Sequence, residues 1–256
     1  MELYFRKEGE GPALIILHGL FGMHDNWLSL GRLFGEHFTV YMVDQRNHGR
    51  SPHSEVMTFQ AMSADLLQLM EQENLQQAHV LGHSMGGKTA MQFVMDHPGR
   101  VDRLIVADIS PRQYANNEQH LGLIDAMLSV KAEEKASRSQ VGKALSEKVI
   151  PDHVRQFLMK NLYWKEKGKL GWRPNLEVIR AQLPEIFRAI ESSGPVQVPA
   201  LFLKGEKSGY IKTADEHMIR SMFPKAEIRV IQNGTHWLHA DNPKDFYKEV
   251  ITFLKS

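Results

Sequence analysis

The sequence contains no cysteine, and this absence removes several kinds of chemistry at once. Disulfides, thiolate metal sites and a cysteine nucleophile are all excluded, and the composition fits a reducing compartment. The apolar run ALIIL at 13–17 is too short for a signal-peptide core or a membrane span. We therefore expect a cytoplasmic protein without a transmembrane segment.

The sequence also lacks an excess of charge of either sign and any pairing of histidines typical of metal ligands. Lysine and arginine total 31 against 30 aspartates and glutamates, so the 256 residues carry a formal net charge of +1. This balance gives no reason to expect nucleic acid, a membrane surface or a polyanion as a partner. The 13 histidines are scattered and no HExxH motif occurs, so the sequence predicts neither a bound metal nor another cofactor.

Short continuous apolar runs recur along the chain, and each ends at a glycine or a polar residue. They predict strands buried on both faces, which is the pattern of a parallel sheet. The runs cover 13–19, 38–44, 78–83, 103–108, 199–205 and 227–234. Helical patterns separate them at 58–74, 85–97 and 242–256. The alternation predicts an α/β fold with a mostly parallel, doubly wound sheet.

Residues 111–195 interrupt this alternation, because no strand-like run occurs there. Helices are predicted where an apolar stripe appears, at 120–128, 151–164 and 175–190. Pro184 should kink or end the last of these helices. Such an insertion predicts a helical cap over the carboxyl ends of the strands, where open α/β sheets bind ligands. We therefore assign residues 1–110 and 196–256 to the core and residues 111–195 to the cap.

The stretch HVLGHSMGGKTA at 79–90 places Ser84 between two glycines, where a predicted strand meets a predicted helix. This G-x-S-x-G arrangement is typical of a nucleophile elbow, a strained turn that raises a serine hydroxyl above the sheet edge. Side chains at Gly82 and Gly86 would collide with the facing strand or helix. The turn also directs the N–H of Met85 at the reacting oxygen. The pattern predicts a nucleophile at Ser84 and an oxyanion donor at Met85.

A second oxyanion donor and a base are each expected from a loop that follows a strand. The segment LHGLFG at 17–22 follows the first long strand, and we expect its donor to be the N–H of Leu20. His18 in the same loop is more typical of a bracing histidine than of a base. In VIQNGTHWLHAD, His236 follows the last strand and is the expected base, with His239 as its rival.

Taken in order, the segments HGLFG, VDQRNHGRS, GHSMGG, VADISP and GTHWLHAD resemble the α/β-hydrolase superfamily. More narrowly, the chain resembles the small bacterial esterases and acyl-CoA thioesterases related to mitochondrial abhydrolase-domain proteins. The likeness covers the core nearly end to end and is weak in the cap. It implies an α/β-hydrolase fold, a serine–acid–histidine triad without a cofactor, and a small-molecule acyl ester or thioester as substrate.

The position of the triad's acid is the point at which this sequence departs from the common superfamily pattern. Most members carry an aspartate after the strand that follows the cap, but the stretch FLKGEKSGYI holds Ser208 there. A hydroxyl cannot stabilise an imidazolium as a carboxylate does. Asp108 ends the strand after the nucleophile strand and could reach the same histidine, and the narrower family also places its acid there. We therefore predict Asp108 as the acid and Ser208 as an auxiliary partner.

Each of these assignments has an alternative. Glu206 and Asp215 are rival acids, and Asp108 could instead cap the ISP turn that follows it. Asp44, Arg46 and Ser51 are interpreted as bracing the loop that follows the second long strand. The aromatic and methionine residues of the cap could line an acyl pocket or pack within the cap. They include Tyr163, Trp164 and Trp172.

The sequence thus predicts a serine hydrolase that cleaves an ester or a thioester, including acyl-CoA, through an acyl-enzyme intermediate. A carbon–carbon bond hydrolase or a perhydrolase would use the same three residues. A non-catalytic small-molecule receptor is the alternative from another class. The motifs do not encode the acyl length, the leaving group or the oligomeric state.

Overall fold

The computed structural model describes residues 1–115, 118–192 and 194–256, and its centre is a mostly parallel sheet. The strands of these residues are β1 (Phe5–Glu8), β2 (Ala13–Leu17), β3 (Thr39–Val43), β4 (Ala78–His83), β5 (Val101–Ala107), β6 (Leu162–Glu166), β7 (Lys169–Trp172), β8 (Ala200–Gly205) and β9 (Ala226–Ile231). The main sheet has the order β1-β3-β2-β4-β5-β8-β9, and β6 pairs with β7. Strand β1 runs antiparallel to β3, and the other neighbours in the main sheet are parallel. The predicted mostly parallel sheet is confirmed.

Helices cover both faces of the main sheet. The helices of the described residues are α1 (Leu28–Phe34), α2 (Phe59–Gln72), α3 (Met85–Asp96), α4 (Glu118–Ser129), α5 (Arg138–Ser146), α6 (Asp152–Met159), α7 (Leu176–Phe187), α8 (Asp215–Met222), α9 (Leu238–Asp241) and α10 (Pro243–Lys255), of which α4 to α7 belong to the segment between β5 and β8. Along β2, Leu14 and Ile16 join one apolar cluster with α1 and α10, whereas Ile15 and Leu17 join another with α2 and α3. The sheet is therefore doubly wound, as predicted. No helix within the described ranges is both long enough and apolar enough to cross a bilayer.

The segment between β5 and β8 differs from the prediction of an all-helical cap. The helix predicted over 151–164 ends at Met159, and β6 and β7 form a hairpin around Gly168. Tyr163 and Trp164 favour extended backbone, because aromatic side chains fit a pleated surface. Gly168 has a φ of 80° between the two strands, a conformation that glycine adopts without strain. The prediction of helices alone was therefore wrong for this part of the insertion.

Helix α7 is shorter than the predicted span of 175–190. It begins at Leu176, after Asn175, whose side chain accepts a hydrogen bond from the N–H of Val178. The helix continues through Pro184 and ends at Phe187. Because proline lacks an N–H, its one missing hydrogen bond falls in the last turn, where the rest of the helix tolerates it. Pro184 therefore does not end the helix. Ending the helix was one of the two outcomes that the sequence predicted, and a kink was the other.

Lys88 of α3 connects the core to both ends of the inserted segment. Lys88 is buried, with 1% of its surface exposed. Its Nζ donates one hydrogen bond to the carbonyl of Arg112, at 2.9 Å, and another to the carbonyl of Arg188. Arg112 follows β5 and Arg188 follows α7, so one side chain holds both ends of the insertion. Burial lowers the pKa of Lys88 to about 7. A neutral amine has two N–H groups, which match the two carbonyls.

Lys88→Met is expected to remove the part of the pH dependence of the free energy of unfolding that titration of Lys88 causes. The pKa of Lys88 near 7 in the folded chain lies below its ordinary value of 10.5, so the unfolded chain binds more protons between these values. Relative to the variant, the free energy of unfolding of the unsubstituted protein should therefore rise by about 1 kcal/mol per pH unit from about pH 7.5 to 9.5. Urea unfolding at several pH values measures this difference. A constant difference would show that folding leaves the pKa of Lys88 unchanged.

Candidate active site

Ser84 lies at the sharp turn between β4 and α3. Its backbone has a φ of 53° and a ψ of −119°, which a residue with a side chain adopts only under constraint. Its N–H donates a hydrogen bond to the carbonyl of Ala107 at 3.0 Å. A Cβ on Gly82 would lie 2.1 Å from the carbonyl oxygen of Gly86, and one on Gly86 would lie 2.4 Å from that of Leu17. The close approach of three backbone segments therefore requires both glycines of the motif.

The structure brings Ser84, His236 and Asp108 together. Nε2 of His236 lies 2.9 Å from Oγ of Ser84, and Nδ1 lies 2.8 Å from Oδ2 of Asp108. The side chain of Asp108 is fully buried, whereas that of His236 is 22% exposed. The ring of Tyr210 stacks on the imidazole, with 3.7 Å between the ring centroids and 14° between the planes. The imidazole is thus held between a hydroxyl and a buried carboxylate.

The carboxylate of Asp108 contacts the loop that follows β8. Its Oδ1 accepts a hydrogen bond from the N–H of Gly205 at 2.9 Å, and its Oδ2 accepts another from the hydroxyl of Ser208. In the ISP turn that follows Asp108, the N–H of Ser110 donates instead to the hydroxyl of Tyr114 at 2.8 Å. The capping alternative for Asp108 therefore does not match its contacts, and Ser208 lies against the carboxylate that it was expected to assist.

Glu206 and Asp215, the rival acids, have other partners. Glu206 accepts a hydrogen bond from the N–H of Asn233 at 2.8 Å. Asp215 pairs with Arg112 at 3.1 Å and accepts a hydrogen bond from the N–H of Lys212 at 2.8 Å. These contacts leave Asp108 as the carboxylate that binds the His236 ring among the residues that the structure describes.

The histidines His18 and His239 have bracing and packing contacts. Nδ1 of His18 donates to the carbonyl of Gly19 at 2.8 Å, and its Nε2 accepts from the N–H of Gln45 at 3.0 Å. The ring of His239 stacks on Trp27, with 4.3 Å between the centroids. Burial lowers the pKa of both imidazoles, that of His239 to about 3, so both are neutral at pH 7. Within the described ranges, no group of three or more histidine, aspartate or glutamate side chains is arranged to hold a metal ion.

The loop that follows β3 is braced by hydrogen bonds, as interpreted, both within the loop and to neighbouring segments. The carboxylate of Asp44 accepts a hydrogen bond from the N–H of His24 at 2.6 Å, and the hydroxyl of Ser51 donates to the carbonyl of Asp44. Arg46 binds the carboxylate of Asp65 through two N–H groups, at 2.6 and 2.9 Å. The bracing interpretation of Asp44, Arg46 and Ser51 agrees with these contacts.

Leu20 and Met85 border Ser84 from the two segments that were expected to supply oxyanion donors. Both residues line a small pocket together with Ser84. Phe21 has a φ of 60° and donates its N–H to Nε2 of His48 at 3.1 Å, which fixes the turn next to Leu20. The backbone beside Leu20 is therefore held in place.

Two pockets in the described part of the chain border Ser84, and they differ greatly in size. The smaller has a volume of about 20 Å³, and its apolar walls include Ile109 and Ile186. The larger has a volume of about 530 Å³ and lies between the inserted segment and the loop after β9. His120 of α4 lines both pockets, and its buried Nδ1 has no hydrogen-bond partner among the described residues. His120 was not predicted as a site residue. The helical pattern at 120–128 shows which face of the helix is apolar, but it does not show which residues that face contacts.

Tyr163, Trp164 and Trp172, which the sequence suggested for an acyl pocket, line neither of these two pockets. Other aromatic residues of the insertion do, because Tyr114 and Phe187 line the smaller pocket and Phe157 lines the larger. Trp164 is 50% exposed. The guanidinium of Arg173 lies over the ring of Tyr163 at 4.1 Å, and the indole N–H of Trp172 donates to the carbonyl of Met127 at 3.0 Å. Tyr163 and Trp172 therefore pack within the insertion, which was the structural alternative.

The chain is similar in sequence and in fold to several known proteins. A family model described as the alpha/beta hydrolase fold matches residues 12–243. The chain is 38% identical to the sn-1-specific diacylglycerol lipase ABHD11 of Danio rerio over 98% of this chain and 81% of that protein. It is 32% identical to Esterase YbfF of Escherichia coli (strain K12) over 97% of this chain and 95% of that protein. A solved structure of a marine microorganism esterase matches with a TM-score of 0.97 and 43% identity over 99% of both chains.

Proposed function

The chain belongs to the α/β-hydrolase family and is a hydrolase of carboxylic esters, and we propose that it works through an acyl-enzyme formed on Ser84. Ester hydrolysis is supported by relatives that are named as a lipase and as esterases. The mechanism rests on one observation, the position of His236 between the hydroxyl of Ser84, at 2.9 Å, and the carboxylate of Asp108, at 2.8 Å.

In the first half of the reaction, Oγ of Ser84 attacks the carbonyl carbon of the ester while Nε2 of His236 takes the hydroxyl proton. Serine needs this base because its protonated hydroxyl is a weak nucleophile at neutral pH. The imidazolium forms beside the buried carboxylate of Asp108, which stabilises it. The N–H groups of Leu20 and Met85 stabilise the negative charge on the carbonyl oxygen. The tetrahedral intermediate then collapses, the bond to the leaving oxygen breaks, and His236 returns the proton to that oxygen.

In the second half, a water molecule replaces the departed alcohol. His236 takes a proton from this water, whose oxygen attacks the acyl carbon, and then returns the proton to Oγ of Ser84. The products are a carboxylic acid and the free enzyme. A thioester would follow the same steps with sulfur as the leaving atom. The large cavity, of about 530 Å³, has room for a bulky leaving group of either kind.

The test compares acetyl donors that differ only in their leaving group, which are p-nitrophenyl acetate, phenyl acetate and S-phenyl thioacetate. Each is hydrolysed in water that contains a fixed concentration of methanol, and the ratio of methyl acetate to acetic acid is measured. If all three pass through the same acyl-enzyme, the ratio is the same for each donor, because the leaving group has departed before water or methanol attacks.

Two results would contradict the proposal. A ratio that changes with the leaving group would mean that water attacks the substrate directly, without an acyl-enzyme. Unchanged turnover in the Ser84→Ala variant would mean that another group forms the intermediate. Failure of the thioester alone would restrict the substrates to oxygen esters.

A further inference from the structure

We propose that the small pocket beside Ser84 is the acyl site and that the large cavity takes the leaving group. The enzyme is therefore selective for esters in which a short acyl chain is joined to a bulky alcohol. This inference rests on the proposed acyl-enzyme mechanism and adds the substrate class to it. Neither the family nor the relatives' names specify which pocket receives which part of the ester.

The position of His236 decides which part of the ester enters which pocket. Its Nε2 has to deliver a proton to the leaving atom, so the leaving group departs on the side of the imidazole. His236 borders the large cavity and does not line the small pocket. Of the two proposed oxyanion donors, Met85 lines only the small pocket, whereas Leu20 lines both. The acyl chain, which points away from the leaving group, therefore enters the small pocket.

The small pocket has room for a short chain only. Its volume of about 20 Å³ is little more than the space of one water molecule. Ile109 and Ile186 are 4% and 6% exposed, so both are already packed against neighbours. The hydroxyl of Tyr114 donates to the carbonyl of Tyr210 at 2.6 Å, which fixes another wall. Lys88 is fixed by the two carbonyls at the ends of the insertion. These walls cannot move apart without breaking those contacts, and the methyl group of an acetyl ester matches a space of this size.

The large cavity has the volume and the lining for a bulky leaving group. Its apolar walls include Leu123, Phe157 and Trp237, which come from α4, α6 and the loop after β9. Polar groups of Asn26 and Gln156 border the same space. A mixed lining of this kind accommodates a long alkyl or aryl alcohol and also a more polar one.

A pair of isomeric esters tests the assignment of the pockets. Hexyl acetate and ethyl hexanoate have the same atoms, but the six-carbon chain lies on the alcohol side in one and on the acyl side in the other. We expect kcat/KM, measured by acid release in a pH-stat, to be about 100-fold higher for hexyl acetate, because several methylenes must enter a pocket that cannot hold them. The pair p-nitrophenyl acetate and p-nitrophenyl hexanoate should show the same preference with a reactive leaving group.

The outcomes separate this inference from the mechanism on which it rests. Equal rates within each pair, or faster cleavage of the hexanoyl esters, would overturn the pocket assignment while leaving the acyl-enzyme intact. If Ser84→Ala cleaves the acetyl esters as fast as the unsubstituted enzyme, the acyl-enzyme proposal fails, and the pocket assignment fails with it.

A pair of matched variants locates the limit on acyl length. Ile186→Ala and Leu123→Ala remove the same number of carbons, but Ile186 lines the small pocket and Leu123 lines the large cavity. We expect Ile186→Ala to raise the ratio of hexanoyl to acetyl kcat/KM by about tenfold or more. Leu123→Ala should leave this ratio within about twofold, whatever its effect on absolute rates. Equal shifts in the two variants would overturn the inference, and Ile186→Val provides a milder change if Ile186→Ala does not fold.

Discussion

His236→Phe is expected to lower kcat for p-nitrophenyl acetate by about 10⁵-fold or more. Phenylalanine keeps a planar ring against Tyr210, which stacks on His236 at 3.7 Å, but it has no nitrogen to take the proton of Ser84. His239→Phe is the matched control, because it makes the same change in a ring that packs on Trp27. The control should lower kcat by about tenfold at most.

The melting temperature of each variant separates a loss of chemistry from a loss of folding. We expect both variants to remain folded, with the large loss of kcat confined to His236→Phe. If His239→Phe lost as much activity as His236→Phe while keeping its melting temperature, the assignment of the base would be wrong.

Asp108→Asn is expected to lower kcat by about 10³- to 10⁴-fold. Asparagine has nearly the same shape, but its single oxygen can keep only one of the two acceptor positions, that for the N–H of Gly205 or that for the hydroxyl of Ser208, and it carries no charge. The imidazolium that forms at His236 would then lie 2.8 Å from a neutral group in a fully buried position. The amide can also present its NH₂ group to the ring and favour the wrong tautomer. The measurement is kcat on the same ester, with the melting temperature as the folding control.

Glu206→Gln and Ser208→Ala are the controls for the acid. Glu206→Gln makes the same carboxylate-to-amide change on a side chain that binds Asn233, and it should change kcat by about twofold or less. Ser208→Ala removes one donor to the carboxylate and should cost about tenfold or less. A loss in Glu206→Gln that equals or exceeds the loss in Asp108→Asn would show that the wrong carboxylate has been assigned.

The core of the fold could be predicted from the sequence, because strands buried on both faces need continuous apolar runs. The glycines at 82 and 86 also carried a local signal, since each must allow a backbone segment to pass close by. Strand β1 was missed because its sequence, FRKE, is polar and partly exposed at the edge of the sheet. The resemblance of the core segments to α/β-hydrolases is confirmed by the family match over residues 12–243.

The walls of the site could not be predicted in the same way. The apolar stripes of α4, α6 and α7 showed which faces are buried, but the partners of those faces depend on the tertiary arrangement of the insertion. Lys88 shows why such contacts cannot be predicted from a local pattern. The residues whose carbonyls it binds, Arg112 and Arg188, are distant from it in the sequence. Nothing in the local stretch GGKTA distinguishes a buried lysine from an exposed one. The hairpin of β6 and β7 was likewise hidden, because a charged turn separates two short strands.

The central claim is that the hydroxyl of Ser84 becomes the covalent nucleophile, and mapping an irreversible adduct tests it most directly. The protein is incubated with a fluorophosphonate, digested and analysed by mass spectrometry, alongside the Ser84→Ala and His236→Phe variants. We expect about one label per chain on Ser84, no label in Ser84→Ala and strongly slowed labelling in His236→Phe. Stoichiometric label on any other residue, or equal labelling of Ser84→Ala, would contradict the account.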